Sequence, residues 1–125
     1  MEINNNEKIV RNEKIIHNMK LNNEPFCLIK AGKKTIELRL NDEKRKRVKI
    51  GDIITFENIN SFEKLSVLVI KIHKFDNFKH LYENIDKTLM GYSSEQIAHS
   101  SDMEKYYPIE QQNKNGVLGI EFKLL

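Results

Sequence analysis

Cysteine, tryptophan, proline and arginine are all scarce in this chain, and several of these shortages close off a class of protein. The single cysteine, Cys27, has no partner for an intramolecular disulfide and cannot build a cysteine-rich zinc site, which suits a reducing compartment. No apolar run approaches the roughly 18–20 residues that span a bilayer. Met1-Glu2-Ile3-Asn4-Asn5-Asn6 has neither the basic start nor the apolar stretch of a signal peptide. His17, His73, His80 and His99 share no tight ligand spacing, so each reads as a surface or hydrogen-bonding residue and no metal is expected. The five glycines are scattered, which excludes a phosphate-cradling glycine loop, and no Ser/His/Asp pattern is present. The expectation is a small soluble cytoplasmic domain with no membrane association, no cofactor and no disulfide-linked partner.

What is present fits one globular domain: 125 residues, 39% hydrophobic and 31% charged. Seventeen Lys, sixteen Ile and fourteen Asn make up 47 of the 125 positions, the bias an AT-rich genome writes into its proteins. The net charge of +3 is therefore a weak signal. Arginine is the better one, because three of the four (Arg39, Arg45 and Arg47) fall within nine residues.

Residues 1–13 are polar and read as a tail or short helix, leaving 14–125 as the domain. Ile15–Leu21 reads as a strand, and Asn23-Glu24-Pro25 as the start of a short helix, with Asn23 as cap and Gly32 as stop. Cys27, among Phe26, Leu28 and Ile29, reads as a small core residue on that helix. Lys34–Leu40 alternates, with Ile36, Leu38 and Leu40 on one face and Thr35, Glu37 and Arg39 on the other. Ile53–Glu57 follows the turn Gly51-Asp52, and Leu65–Ile72 is apolar enough for a central strand covered on both sides. Asp76 is placed to cap a helix carrying Phe78, Leu81, Tyr82 and Ile85. One or two further short helices are expected within 86–107, with Ser93 or Ser94 as cap and Glu95–His99 inside; Val117–Leu125 closes as a strand. Crossover helices for a parallel sheet are missing, so the pattern predicts an α+β fold: a small mixed β-barrel with two to four short helices packed outside.

Three features carry chemistry. Lys34, Glu37 and Arg39 put an ammonium, a carboxylate and a guanidinium within six residues, with Glu37 and Arg39 on one strand face. On spacing alone the plain alternative is an exposed strand edge with a surface ion pair. Lys44-Arg45-Lys46-Arg47-Val48-Lys49 holds five basic residues in six, either a solvated loop or one whose Arg45 and Arg47 contact phosphate. Of Tyr106 and Tyr107, one belongs to the core and the other is free to stack on a base, with Lys105 and Glu110 near the same rim.

The spacing G-x-K-x-x-E-x-R, met by Gly32, Lys34, Glu37 and Arg39, resembles the signature of the ASCH (activating-signal-cointegrator homology) domains. Lys49-Ile50-Gly51-Asp52-Ile53-Ile54-Thr55-Phe56 resembles the K-x-G-D-x-I-x-F that follows in that family, and Gly116–Phe122 its last strand. The resemblance runs from about His17 to Leu125 and implies a PUA-like fold whose signature residues line a cleft between barrel and first helix. Its members include proposed RNA-binding adaptors, some ribonucleases and small amidohydrolases acting on N4-acetylcytidine. The amidohydrolase motif resembles G-R-K-T-I-T-I-R-D, with a lysine, a threonine and a later glutamate as its catalytic set. Lys34 matches the lysine, but Glu37 stands at the threonine position and Leu40 where the motif has aspartate. Glu83 is the candidate for the later glutamate.

The reading is an RNA- or nucleotide-binding domain with a cleft built from Lys34, Glu37, Arg39, Arg45, Arg47, Tyr106 and Tyr107. The alternative is a small hydrolase, an amidohydrolase on a modified nucleoside or a ribonuclease, with Lys34 and Glu37 catalytic. A lysine depressed by a neighbouring arginine serves as base or nucleophile; one paired directly with Glu37 stays protonated. Sequence leaves both open.

Overall fold

Strict alternation in the closing segment places Leu118, Ile120 and Phe122 on one face of a strand and Val117 and Gly119 on the other, and the whole molecule is organised around those two faces. The computed structural model describes residues 15–125, so the reading of 1–13 lies outside the described residues. Five strands form one mixed sheet in the order β1-β3-β4-β5-β2: β1 (Ile16–Leu21), β2 (Ile36–Leu40), β3 (Ile53–Asn58), β4 (Lys64–Phe75) and β5 (Val117–Leu124). β1 runs parallel to β3, and the other pairs are antiparallel. The sheet curls into a half-barrel with β1 and β2 at its two edges, in line with the α+β barrel expected.

The inner face buries Met19, Leu21, Ile54, Phe56, Val67, Val69, Leu118, Ile120 and Phe122. Helix α1 (Asn23–Lys30) adds Phe26 and Ile29 to that cluster, each fully buried. The outer face of β2 and β5 is covered by α2 (Phe78–Asn84), whose Phe78 and Leu81 pack with Ile36, Leu38, Leu40 and Val117. A third helix, α3 (Ile109–Asn115), precedes β5.

Several local expectations are corrected. β4 is longer than the apolar run and is not covered on both sides: Val67 and Val69 are buried, while Ile70 sits at a register shift and is exposed. The outer apolar cluster reaches β4 only at Phe75. No helix forms over Glu95–His99; Ile97 is 87% exposed, so the segment has no apolar stripe to bury, and a 3-10 turn capped by His99 forms at Ser100–Met103 instead. Helix α3 escaped the sequence reading because its one apolar residue, Ile109, is exposed and its buried residue is Gln112. Asn22 precedes α1 as its cap position, and Asn77, not Asp76, caps α2 by accepting the His80 N–H at 2.9 Å. Cys27 is exposed on α1 and so is not a core residue. Among the described residues no helix is long and apolar enough to cross a membrane, and no cluster of His, Cys, Asp or Glu could hold a metal ion.

Asp52 explains the second motif physically. Its buried carboxylate accepts from the Lys49 N–H at 3.0 Å and bonds the His17 ring at 2.9 Å, which fixes the turn into β3 and ties it to β1. Ile54 and Phe56 then enter the inner core.

Candidate functional site

Gly32 begins the site. Its φ of 77° lies in the left-handed region, which lets the chain leave α1 sharply and return toward the sheet. The Lys33 and Lys34 N–H groups both donate to the Leu28 carbonyl, so Lys34 arrives beside the helix just before β2 begins.

Within β2 the alternation sends Ile36, Leu38 and Leu40 to the outer cluster. Glu37 pairs with Ile120 and Arg39 with Leu118, and directly opposed residues of an antiparallel pair share a face. A carboxylate and a guanidinium therefore point to the barrel interior at the seam beside β1. The surface ion pair that spacing alone allowed is not what forms: Lys34, Glu37 and Arg39 are 7%, 6% and 8% exposed.

Buried charges persist only when paired and hydrogen-bonded, and these are. Arg39 Nε donates to Glu37 Oε2 at 2.8 Å, and Arg39 Nη2 crosses the seam to the Lys20 carbonyl at 3.0 Å. Lys34 Nζ lies 3.4 Å from Glu37 Oε1 and donates to the Met90 carbonyl at 3.0 Å. Both oxygens of Glu37 are thus engaged by the two cations. Burial pushes the Lys34 ammonium below the ordinary lysine value, against the pull of Glu37, with Arg39 a lesser downward influence. Burial also acts against the Arg39 charge, but Glu37 and Tyr107 outweigh it and hold the guanidinium above its ordinary value.

These residues wall a cavity of about 640 Å³, within the range of small-molecule sites. Lys20, Leu21 and Asn22 come from the end of β1, Glu24, Pro25 and Leu28 from α1, and Tyr82 from α2. Met90, Gly91, Tyr92, Gln96, Asp102 and Met103 complete it with Lys105, Tyr106 and Tyr107. Four cations (Lys20, Lys34, Arg39, Lys105) face three carboxylates (Glu24, Glu37, Asp102), an excess of one positive charge. Tyr107 is half-buried and stacks on Phe78 with centroids 5.9 Å apart, while Tyr106 is 52% exposed with Lys105 Nζ over its ring. The buried Gln112 holds Tyr107 in place, donating to its carbonyl at 2.8 Å and accepting the Phe78 N–H at 3.1 Å.

Lys34, Glu37, Arg39, Tyr106 and Tyr107 are thus brought together. Arg45 and Arg47 are not among the lining residues: they form a 3-10 turn in which Asp42 holds the Arg45 guanidinium at 2.6 Å, and Arg47 is exposed. Glu83 and Glu110 are exposed and likewise outside the lining. Sequence reasoning missed Tyr82, Tyr92 and Asp102 as site residues. The Tyr92 hydroxyl donates to Asp102 Oδ2 at 2.8 Å and lies 2.8 Å from the Tyr82 hydroxyl. Tyr82 carried only the helical spacing of a core residue, and Tyr92 and Asp102 fall in a segment with no periodicity; no local signal distinguishes them.

The ASCH domain family model matches residues 19–125. Among solved structures, the chain is similar to the hypothetical protein PH0355, at 34% identity over 89% of this chain and 100% of that one, with a TM-score of 0.75. Protein PF0455 from Pyrococcus furiosus matches at 33% identity, 89% and 98% coverage, and a TM-score of 0.69. The ASCH protein from Zymomonas mobilis shares the fold at 13% identity, 89% and 68% coverage, and a TM-score of 0.61. No curated protein matches the chain. With the signature glycine turning the chain, its three charged residues converging inside the half-barrel and the family model covering nearly the whole length, this chain belongs to the ASCH domain family.

Proposed function

We propose that this domain binds RNA or a nucleotide-derived ligand in the cavity beside β2. The observation that carries the reading is the buried Lys34–Glu37–Arg39 set on the wall of a 640 Å³ cavity with Tyr106 and Tyr107 at its edge. Glu37 spends its oxygens on its neighbours, so what faces a ligand is donors: the remaining N–H groups of Arg39 and of Lys34. Such donors suit a phosphate or a base carbonyl, and an exposed tyrosine suits a stacked base. The excess of one positive charge among the lining residues fits a single nucleotide or a short strand better than a duplex. The family is in general linked to RNA binding, which supports the class of ligand. Arg45 and Arg47, on their own turn, serve phosphates further along a strand in this reading.

Titration of short single-stranded RNA and of nucleoside monophosphates at low salt tests it. Wild type binds both; replacing Arg45 and Arg47 by Ala weakens RNA binding and lowers the salt slope by about 0.7 per lost phosphate contact, while leaving mononucleotide binding in place. Absence of binding to both ligands at low salt would end the proposal.

The lowered Lys34 favours a second reading, hydrolysis of an acylated nucleoside. There the neutral Lys34 amine takes a proton from a water whose oxygen bonds to the acyl carbonyl carbon, then passes that proton to the leaving nitrogen as the amide C–N bond breaks, giving a carboxylic acid and the free amine. Glu37 offers no hydroxyl nucleophile, so water is the attacking group. The same samples incubated with N4-acetylcytidine and labelled RNA decide it: turnover that Lys34→Ala abolishes supports this chemistry, and turnover that survives that change removes Lys34 from it.

A further inference from the structure

The direction of the hydrogen bonds between Tyr82, Tyr92 and Asp102 is fixed by counting protons. A carboxylate only accepts, so the single Tyr92 hydroxyl proton goes to Asp102 Oδ2, and Tyr82 must then donate to the Tyr92 oxygen. Both phenols stay protonated, since burial raises each above the ordinary tyrosine value. With its two protons committed inward, the chain has only lone pairs to present to the cavity. Asp102 Oδ1 has no hydrogen-bond partner among the described residues. Lys34 and Arg39, which line the same cavity, present donors.

We propose that the Tyr82–Tyr92–Asp102 chain is a specificity element that accepts hydrogen bonds from the ligand and so selects nucleotides carrying a donor, an exocyclic amine or a ribose 2′-hydroxyl, in addition to their phosphate. This rests on the nucleotide reading above. Asp102 is held by Tyr92, and Tyr92 by Tyr82 with the rings edge-on at 6.0 Å, so the acceptors are oriented before a ligand arrives. A ligand with a matching donor gains a charge-assisted hydrogen bond to Asp102 that a ligand without one lacks.

Calorimetric titration with four 5′-monophosphates separates the sources of the donor. These are cytidine, 2′-deoxycytidine, the pyrimidin-2-one riboside that lacks the amine, and its 2′-deoxy analogue that lacks both. The last is expected to bind wild type about tenfold more weakly than cytidine monophosphate. The two intermediate compounds show which donor is read. Asp102→Ala, an exposed position where folding is not at stake, brings the four affinities to within about twofold while binding persists. Tyr92→Phe, which removes the proton that orients Asp102, narrows the spread. Equal binding of all four by wild type, or full discrimination retained in Asp102→Ala, overturns this inference and leaves the nucleotide reading standing. No binding of any of the four overturns both.

Discussion

Glu37 is the residue on which the local chemistry turns. One carboxylate is shared by an ammonium at 3.4 Å and a guanidinium at 2.8 Å, all three nearly out of solvent. Sequence leaves two states for Lys34, one depressed beside Arg39 and one held protonated by Glu37; the folded protein decides for depression, with burial as the larger cause. This has a measurable consequence. In the unfolded chain Lys34 titrates near 10.5, and in the folded protein lower, so between those values the unfolded state binds more protons and stability rises with pH. Below that window the charge is buried at constant cost. Lys34→Met keeps the apolar stem and removes the titration. Urea unfolding of both proteins at pH 7 and pH 10 is expected to show wild type gaining stability relative to the variant as pH rises; a constant difference would show that Lys34 titrates alike in both states. Of the three signature charges, the residue types and the shared face of Glu37 and Arg39 were legible, because period-two alternation is a local property. Their burial was not, since it depends on β1 and on the segment around Met90, 56 residues from Lys34.

Among the elements, those with an apolar rhythm were readable and those without were not. β2, α1 and β5 declare themselves through residues that enter one of the two clusters. Helix α3 and the 92–99 segment have no such stripe, and their form is set by what they lean on. Gly91 shows how tightly that segment meets the site. Its φ is 105°, and a Cβ there would lie 3.3 Å from Leu28 Cδ1 and 3.4 Å from Lys34 Cδ. Gly91→Ala is therefore expected to cost about 1–3 kcal/mol and to displace the Lys34 stem. Thermal unfolding and nucleotide titration together check this: the variant should lose both stability and affinity, whereas loss of stability alone would separate Gly91 from the site.

For the whole molecule the decisive feature is the seam of the half-barrel. β1 and β2 are the sheet edges, and Arg39 joins them by bonding Glu37 on its own strand and the Lys20 carbonyl on the other. Lysine in its place cannot hold both partners with one fork, so Arg39→Lys is expected to cost about 1–3 kcal/mol. Hydrogen exchange should rise in β1 and β2 and stay unchanged in β3, β4 and the centre of β5; uniform change would mean that Arg39 does not close the seam. The sequence by itself determined the α+β class, the alternation of β2 and β5, the turn at Gly32 and the identity of the charged signature, because each follows from periodicity or from one residue's own backbone and side-chain chemistry. Only the tertiary structure decided that those charges face inward across a seam, that Tyr82, Tyr92 and Asp102 join them around one cavity, and that Arg45 and Arg47 do not line it. Those relations are made by contacts between segments far apart in the chain, which no local pattern encodes.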